Sequence, residues 1–284
     1  MAPLVVIVGP TASGKTGLAI QLAQKFNGEI ICADSRTIYK HMDIGTAKPT
    51  PAEQALVPHH GIDLIEPGER FTVADFKTYA EEKIDEIRER GHIPFLVGGT
   101  GLYVDAVVYD YQFGKEVDHI RRKELEEKPL ADLWEYCKNN NITVPENVHN
   151  KRYVIRAIEQ HDSAPTKQSA PRSDAIIVGI ATERDELRRR IQQRAEHLFE
   201  DGVVDEAKLL GEKYGWNSEA MTGNIYRLVH EFLEQKWSES ELKERFFYAD
   251  WQLAKRQMTW LKRSSDIRWL SLDEAHDYLD AKLQ

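Results

Sequence analysis

The sequence predicts an α/β fold, a parallel sheet flanked by helices, with a small all-helical insertion. Three observations predict it. Short apolar runs at Leu4–Val8, Glu29–Ala33 and Ile93–Val97 alternate with helical patterns, as strands joined by crossover helices do. Each run ends in a polar or glycine-rich segment: Gly9–Thr16, Asp34–Ser35 and Gly98–Gly101. Ligands of parallel sheets bind beyond such strand ends. From about Asp110 to Asn150 no strand pattern is evident, and charged helical segments take over.

The elements follow in order. Leu4–Val8 reads as a buried strand, and Leu18, Leu22 and Phe26 after it keep helical spacing. Val73–Arg90 is amphipathic and closes at Gly91, a C-cap signal. Ile120–Lys128 and Leu130–Asn140 read as helices separated by Pro129, with a loop around Pro145. Lys151–Gln160 is helical, Ser163–Ser173 is a Pro/Ser-rich loop, Ala175–Ile180 is a strand, and Arg184–Phe199 is a long helix ending near Gly202. The remainder is mostly helical to about Arg263, then Ile267–Leu270 is a short strand. The expected division is a core of 1–110 and 151–284, interrupted by a helical insertion at 111–150.

Composition sets bounds. Apolar residues make up 41% of 284, enough for a substantial core. No apolar run approaches the roughly 18 residues a membrane helix needs. The chain enters its first strand almost at once, which leaves no room for a signal peptide and predicts a cytoplasmic protein. Cys32 and Cys137 cannot form a disulfide framework or a zinc site, and Cys32 reads as a small core residue. The net charge of −9 argues against a nucleic-acid partner, but Arg245–Trp269 carries six Lys or Arg against two Asp.

Gly9–Thr16 reads GPTASGKT, a phosphate-binding loop between a strand and a helix, and makes the expected core P-loop NTPase-like. Backbone N–H groups of Gly9, Pro10's neighbours Thr11, Ala12 and Ser13, and Gly14 wrap a di- or triphosphate; Lys15 adds a charge and Thr16 a hydroxyl for Mg²⁺. The following helix aims its positive end at the same anion. The loop alone leaves open whether the phosphate belongs to ATP. Asp34, at a strand's carboxyl end, can hold Mg²⁺, accept a proton, or cap a turn. Gly98-Gly99-Thr100-Gly101 permits close backbone approach, and Thr100 can bond a substrate; a plain turn has the same signature. His59 and His60 lack metal-ligand spacing.

Together the segments become specific. GPTASGKT, ADSRTIYKHMDIGTAKP at Ala33–Pro49, PHHGID at Pro58–Asp63 and PFLVGGTGLY at Pro94–Tyr103 resemble the tRNA dimethylallyltransferases, also called tRNA isopentenyltransferases. The resemblance continues through KRYVIRAIE at Lys151–Glu159, ERDELRRRIQQR at Glu183–Arg194 and LAKRQMTWLKR at Leu253–Arg263. It implies transfer of a dimethylallyl group from dimethylallyl diphosphate to N6 of adenosine 37, beside the tRNA anticodon. Asp34 then matches the general base, and Thr100 a residue contacting the target nucleotide. Lys15 and the loop Gly9–Thr16 hold the diphosphate, with Arg227 as a further contact and Mg²⁺ on Thr16. Asp34, Ser35, Arg36 and Thr37 match the tRNA-contacting stretch. Lys151, Arg152, Arg156, Arg194, Lys255 and Arg256 lie in segments that border the anticodon stem or the diphosphate channel. The insertion matches the arm that grips the anticodon loop. A monomer acting on tRNA and dimethylallyl diphosphate, without a membrane, is expected.

Three positions depart from the family pattern. Thr37 stands where Gln is frequent, Ile225 replaces a glycine before Tyr226-Arg227, and Trp251 replaces a basic residue. A lost glycine predicts altered local backbone; Trp251 can exchange a phosphate contact for base stacking. Other readings of the residues are a small-molecule P-loop kinase, a prenyltransferase of free adenine nucleotides, and a non-catalytic tRNA-binding paralogue.

Overall fold

A computed structural model describes residues 1–113, 119–161 and 166–284. Its centre is a six-stranded sheet, parallel throughout, in the order β3-β2-β4-β1-β5-β6. The strands are β1 (Leu4–Val8), β2 (Gly28–Cys32), β3 (His59–His60), β4 (Ile93–Gly98), β5 (Ala175–Ile180) and β6 (Arg268–Leu270). The helices are α1 (Lys15–Lys25), α2 (Pro51–Leu56), α3 (Val73–Glu89), α4 (Gly101–Val108), α5 (His119–Glu127), α6 (Leu130–Asn139), α7 (Lys151–Glu159), α8 (Arg184–Glu200), α9 (Val203–Tyr214), α10 (Asn224–Leu233), α11 (Glu239–Leu261) and α12 (Leu272–Leu283). Among the described residues no helix is long and apolar enough to cross a membrane.

Each expected strand and long helix has its counterpart. β1 is fully buried because it lies between β4 and β5 with both faces covered, which is why it reads as a continuous apolar run. Leu18, Leu22 and Ala23 of α1 pack on Val5, Ile7, Phe95 and Val178 of the sheet. Gly91 adopts φ 78°, as a C-cap glycine does. α11 opens with a capping box in which Ser238 and Glu241 satisfy each other's backbone N–H groups.

The chain divides into two compact units, Met1–Val108 with Pro171–Gln284, and Tyr109–Ala170. The expected boundary at 150 is therefore corrected. α7 lies in the smaller unit, because Val154, Ile155 and Ile158 pack with Leu125, Leu133 and Cys137 of α5 and α6. Of the expected segments, 114–118 in the insertion and Ser163–Pro165 in the Pro/Ser-rich loop fall outside the described residues.

At the amino ends of the strands, Glu29 is nearly buried, with 4% of its side chain exposed. It accepts from Arg90 Nε and Nη2, both at 2.9 Å, and meets His60 Nε2 at 2.6 Å and His92 Nδ1 at 2.7 Å. Burial raises the Glu29 pKa, but the bonds from Arg90, His60 and His92 outweigh it and hold the carboxyl down at about 2. A carboxylate so depressed stabilises the fold fully above its unfolded value near 4.5, and that contribution fades as pH falls through about 2. Glu29→Gln is expected to cost about 1–3 kcal/mol at neutral pH. In urea denaturation, the gap from the unsubstituted protein should narrow at acid pH.

Candidate active site

The phosphate loop links β1 to α1. Ala12 (φ 61°) and Gly14 (φ 90°) take left-handed backbone on either side of Ser13, which lets successive N–H groups turn to one side as an anion-binding nest. Ala12 adopts that geometry against its own preference, so the loop's shape is imposed by its surroundings. Ser13 N–H bonds Pro10 O at 3.2 Å and closes the turn. Gly14, the N-cap of α1, contributes no side-chain cap, leaving the helix's first N–H groups to an anion. The Ser13 hydroxyl is fully buried without a hydrogen-bond partner, an orphan that a phosphate oxygen can satisfy.

Lys15 is half-buried, with its ammonium donating to Pro10 O at 3.2 Å. Burial pushes its pKa down to about 8; Asp34 opposes the shift and Arg194 reinforces it. Arg194, on α8, is ion-paired with buried Asp250 of α11. Burial raises the Asp250 pKa despite that partner. Arg190, one turn earlier, donates to Ser13 O at 3.2 Å and to Glu186 at 2.7 Å. The expected arginine, Arg227, is exposed on α10, whereas Arg194 is among the charges acting on Lys15.

Asp34 follows β2. One carboxylate oxygen accepts Arg36 N–H at 2.8 Å, so the turn-capping role is present. Capping uses Oδ1 and leaves Oδ2 for another task. Thr100 ties the neighbouring strand ends together: its hydroxyl accepts Ser35 N–H at 3.1 Å, and its own N–H bonds Ala33 O at 3.2 Å. Arg36 reaches the 3₁₀ turn Ala220–Thr222, bonding Glu219 O at 3.0 Å and Thr222 Oγ1 at 3.2 Å. Thr37 is buried, with its hydroxyl 3.5 Å from Asp34 O, so its side chain shapes this turn rather than facing outward.

Part of the MDIGTAKP signature proves to be scaffold. Glu206 on α9 accepts the N–H groups of Asp43, Ile44 and Gly45 at 2.7–2.9 Å and the Tyr226 hydroxyl at 2.8 Å. Burial, with Glu206 beside it, pushes the Tyr226 phenol far upward. Lys48, 3% exposed at its side chain, bonds Asp43 at 2.6 Å, Asp63 at 2.5 Å and Tyr39 O at 2.9 Å. Ile225 is buried in α10 and packs with Tyr226, so its departure from glycine fits as apolar core. Trp251, like Ala12, packs against the cluster of Leu187, Ile191, Phe247 and Ala254, flanked by Arg184 at 5.9 Å and Lys255 at 5.6 Å from the ring centre. Cationic character persists around Trp251, although the residue itself is not basic. The Cys32 thiol beneath this site is pushed up to about 12 by burial, which makes it inert.

In the smaller unit, Lys151 donates to Glu126 O at 2.6 Å and Arg156 pairs with Glu159 at 3.5 Å. Arg152 is exposed beside exposed Tyr153.

Among the described residues no group of three or more His, Cys, Asp or Glu could hold a metal. The available donors are hard oxygens, Thr16 and Asp34, which suit Mg²⁺ completed by water and phosphate oxygens.

Comparison with known proteins bears on the family and the fold. The family model described as IPP transferase matches residues 37–264, and that described as isopentenyl transferase matches 2–57. A tRNA dimethylallyltransferase of Limosilactobacillus fermentum is 39% identical, over 96% of this chain and 94% of its own. One from Caldicellulosiruptor saccharolyticus is 40% identical, over 95% and 92%. The solved tRNA isopentenylpyrophosphate transferase of Bacillus halodurans superposes with a TM-score of 0.76 at 35% identity, covering 100% of this chain and 97% of the other. A eukaryotic dimethylallyltransferase solved acting on tRNA gives 0.80 at 26% identity, over 96% and 74%. On sequence and fold together, the chain belongs to the IPP transferase family.

Proposed function

We propose that this protein transfers a dimethylallyl group from dimethylallyl diphosphate to N6 of adenosine 37 in tRNA and releases diphosphate. The observation that carries the reading is an anion nest with no side-chain cap and an orphaned buried Ser13 hydroxyl, whose Lys15 feels the charges of Asp34 and Arg194, with one Asp34 oxygen uncommitted by the turn. The names of its relatives support tRNA as acceptor and dimethylallyl as the group moved.

The bonds balance simply. The allylic C–O bond breaks, and its electron pair leaves with the diphosphate. The N6 lone pair forms the new C–N bond, and the nitrogen's proton passes to Asp34. Negative charge grows on the departing diphosphate, where the loop N–H groups not bonded within the protein, the Ser13 hydroxyl and the Lys15 ammonium stabilise it. Thr16 would hold Mg²⁺, which would supply further charge neutralisation of the diphosphate. Thr100 sets the position of Asp34 through Ser35. The target base leaves its stack to reach the carboxylate. Arg152 and Tyr153 suit RNA contact by charge and stacking. The cytoplasm, where tRNA is processed, is the expected compartment.

The test supplies labelled dimethylallyl diphosphate, Mg²⁺ and either unmodified tRNA or AMP, with labelled ATP in a parallel reaction. Label entering tRNA is expected. Label on AMP alone would replace tRNA as acceptor, and phosphate transfer from ATP would mark a kinase.

A further inference from the structure

α11 covers both loops of the site with residues one turn apart. Gln257 Oε1 accepts the Thr11 N–H of the phosphate loop at 2.8 Å. Its Nε2 lies over Gly99, where a β-carbon would come within 2.4 Å. Trp260 does the same over Gly101, where a β-carbon would meet Cδ1 at 2.1 Å, and its indole N–H is fixed on Asp105 at 2.8 Å. Two glycines of Gly98–Gly101 are thus explained by helix approach, with Thr100 between them turned toward Ser35. The amide of Gln257 sits where the diphosphate loop and the loop positioning Asp34 come together. A β-carbon on Gly99 would also be 3.2 Å from Gly9 O, so the loops themselves are nearly in contact.

We infer that Gln257 is a positioning residue that sets the spacing between the diphosphate nest and the Thr100 loop. Its oxygen holds the Thr11 N–H at the nest's first turn, and its nitrogen bears on Gly99. Diphosphate affinity and the alignment of the allylic carbon with the amine then both depend on one neutral side chain that touches neither substrate. Small misplacements of this kind are costly to rate.

The inference rests on the proposed function for its kinetic readout, and inorganic diphosphate binding supplies one that does not. Gln257→Met keeps volume and removes the acceptor, whereas Gly99→Ala pushes the amide aside from the opposite face. Each is expected to weaken inorganic diphosphate, measured by calorimetry, by about tenfold. Each should raise KM for dimethylallyl diphosphate similarly, leaving KM for tRNA and Tm near those of the unsubstituted protein. Because both act through one contact, the double variant should be no weaker than the worse single. Affinity within about twofold for Gln257→Met, or losses that multiply in the double variant, would overturn the inference. If Gln257→Met does not fold, unchanged affinity in Gly99→Ala overturns it equally. Absence of diphosphate binding by the unsubstituted protein would overturn the proposed function and this inference with it.

Discussion

Asp34→Asn is expected to slow dimethylallyl transfer by about 10²–10⁴-fold, the usual worth of a positioned general base. The amide keeps the shape of the carboxylate and can still accept Arg36 N–H, the bond that Oδ1 makes at 2.8 Å. The turn therefore survives, as does the link from Ser35 to Thr100. What disappears is an acceptor for the proton that the attacking amine sheds as it gains positive charge. Single-turnover rates with tRNA prebound should show the loss, while tRNA affinity stays close to that of the unsubstituted protein. A variant with nearly full rate would reduce Asp34 to a turn cap.

Lys15→Ala is expected to lower kcat/KM for dimethylallyl diphosphate by about 10²–10³-fold, through loss of a charge at the leaving group. The pH profile gives a second signature. Burial lowers the Lys15 pKa to about 8 in the free protein. The ammonium is present below that pH and is lost as pH rises through it. The profile of kcat/KM should therefore be level up to about 8 and fall beyond it, toward tenfold per pH unit. Lys15→Ala should remove that break and leave a flatter, lower profile. A break that persists in the variant would assign it to another group.

Local pattern carried most of the fold. β1 and β4 read correctly because both faces of a central parallel strand are apolar, and α3 because its charged and apolar faces alternate at helical period. β3 is two residues long and gives no periodicity to detect. α12 begins past the last element expected from the sequence, and what it does is tertiary: Leu272 packs where a Gly14 side chain would stand. α7 was visible as a helix, but an amphipathic face does not announce which body it will cover.

The phosphate loop and Asp34 were legible because strand ends of a parallel sheet converge on one crevice. Arg190, Asp250, Gln257 and Glu206 were not. On a helix such residues look like ordinary solvated polar positions, and their partners lie far away in the chain. The segment Met42–Pro49 shows the reverse. It carries part of the family resemblance, yet the N–H groups of Asp43, Ile44 and Gly45 are filled by Glu206, and Lys48 is held by Asp43 and Asp63.

The central claim is that the loop's anion is a departing diphosphate and the nucleophile is the amine of one tRNA adenosine. Mass spectrometry of nuclease fragments from tRNA incubated with the protein, dimethylallyl diphosphate and Mg²⁺ tests it most directly. The predicted result is N6-dimethylallyladenosine at position 37, with one diphosphate released per group transferred and no product when that adenosine is replaced by guanosine. Unmodified tRNA after incubation, or modification elsewhere that survives the replacement, would contradict it.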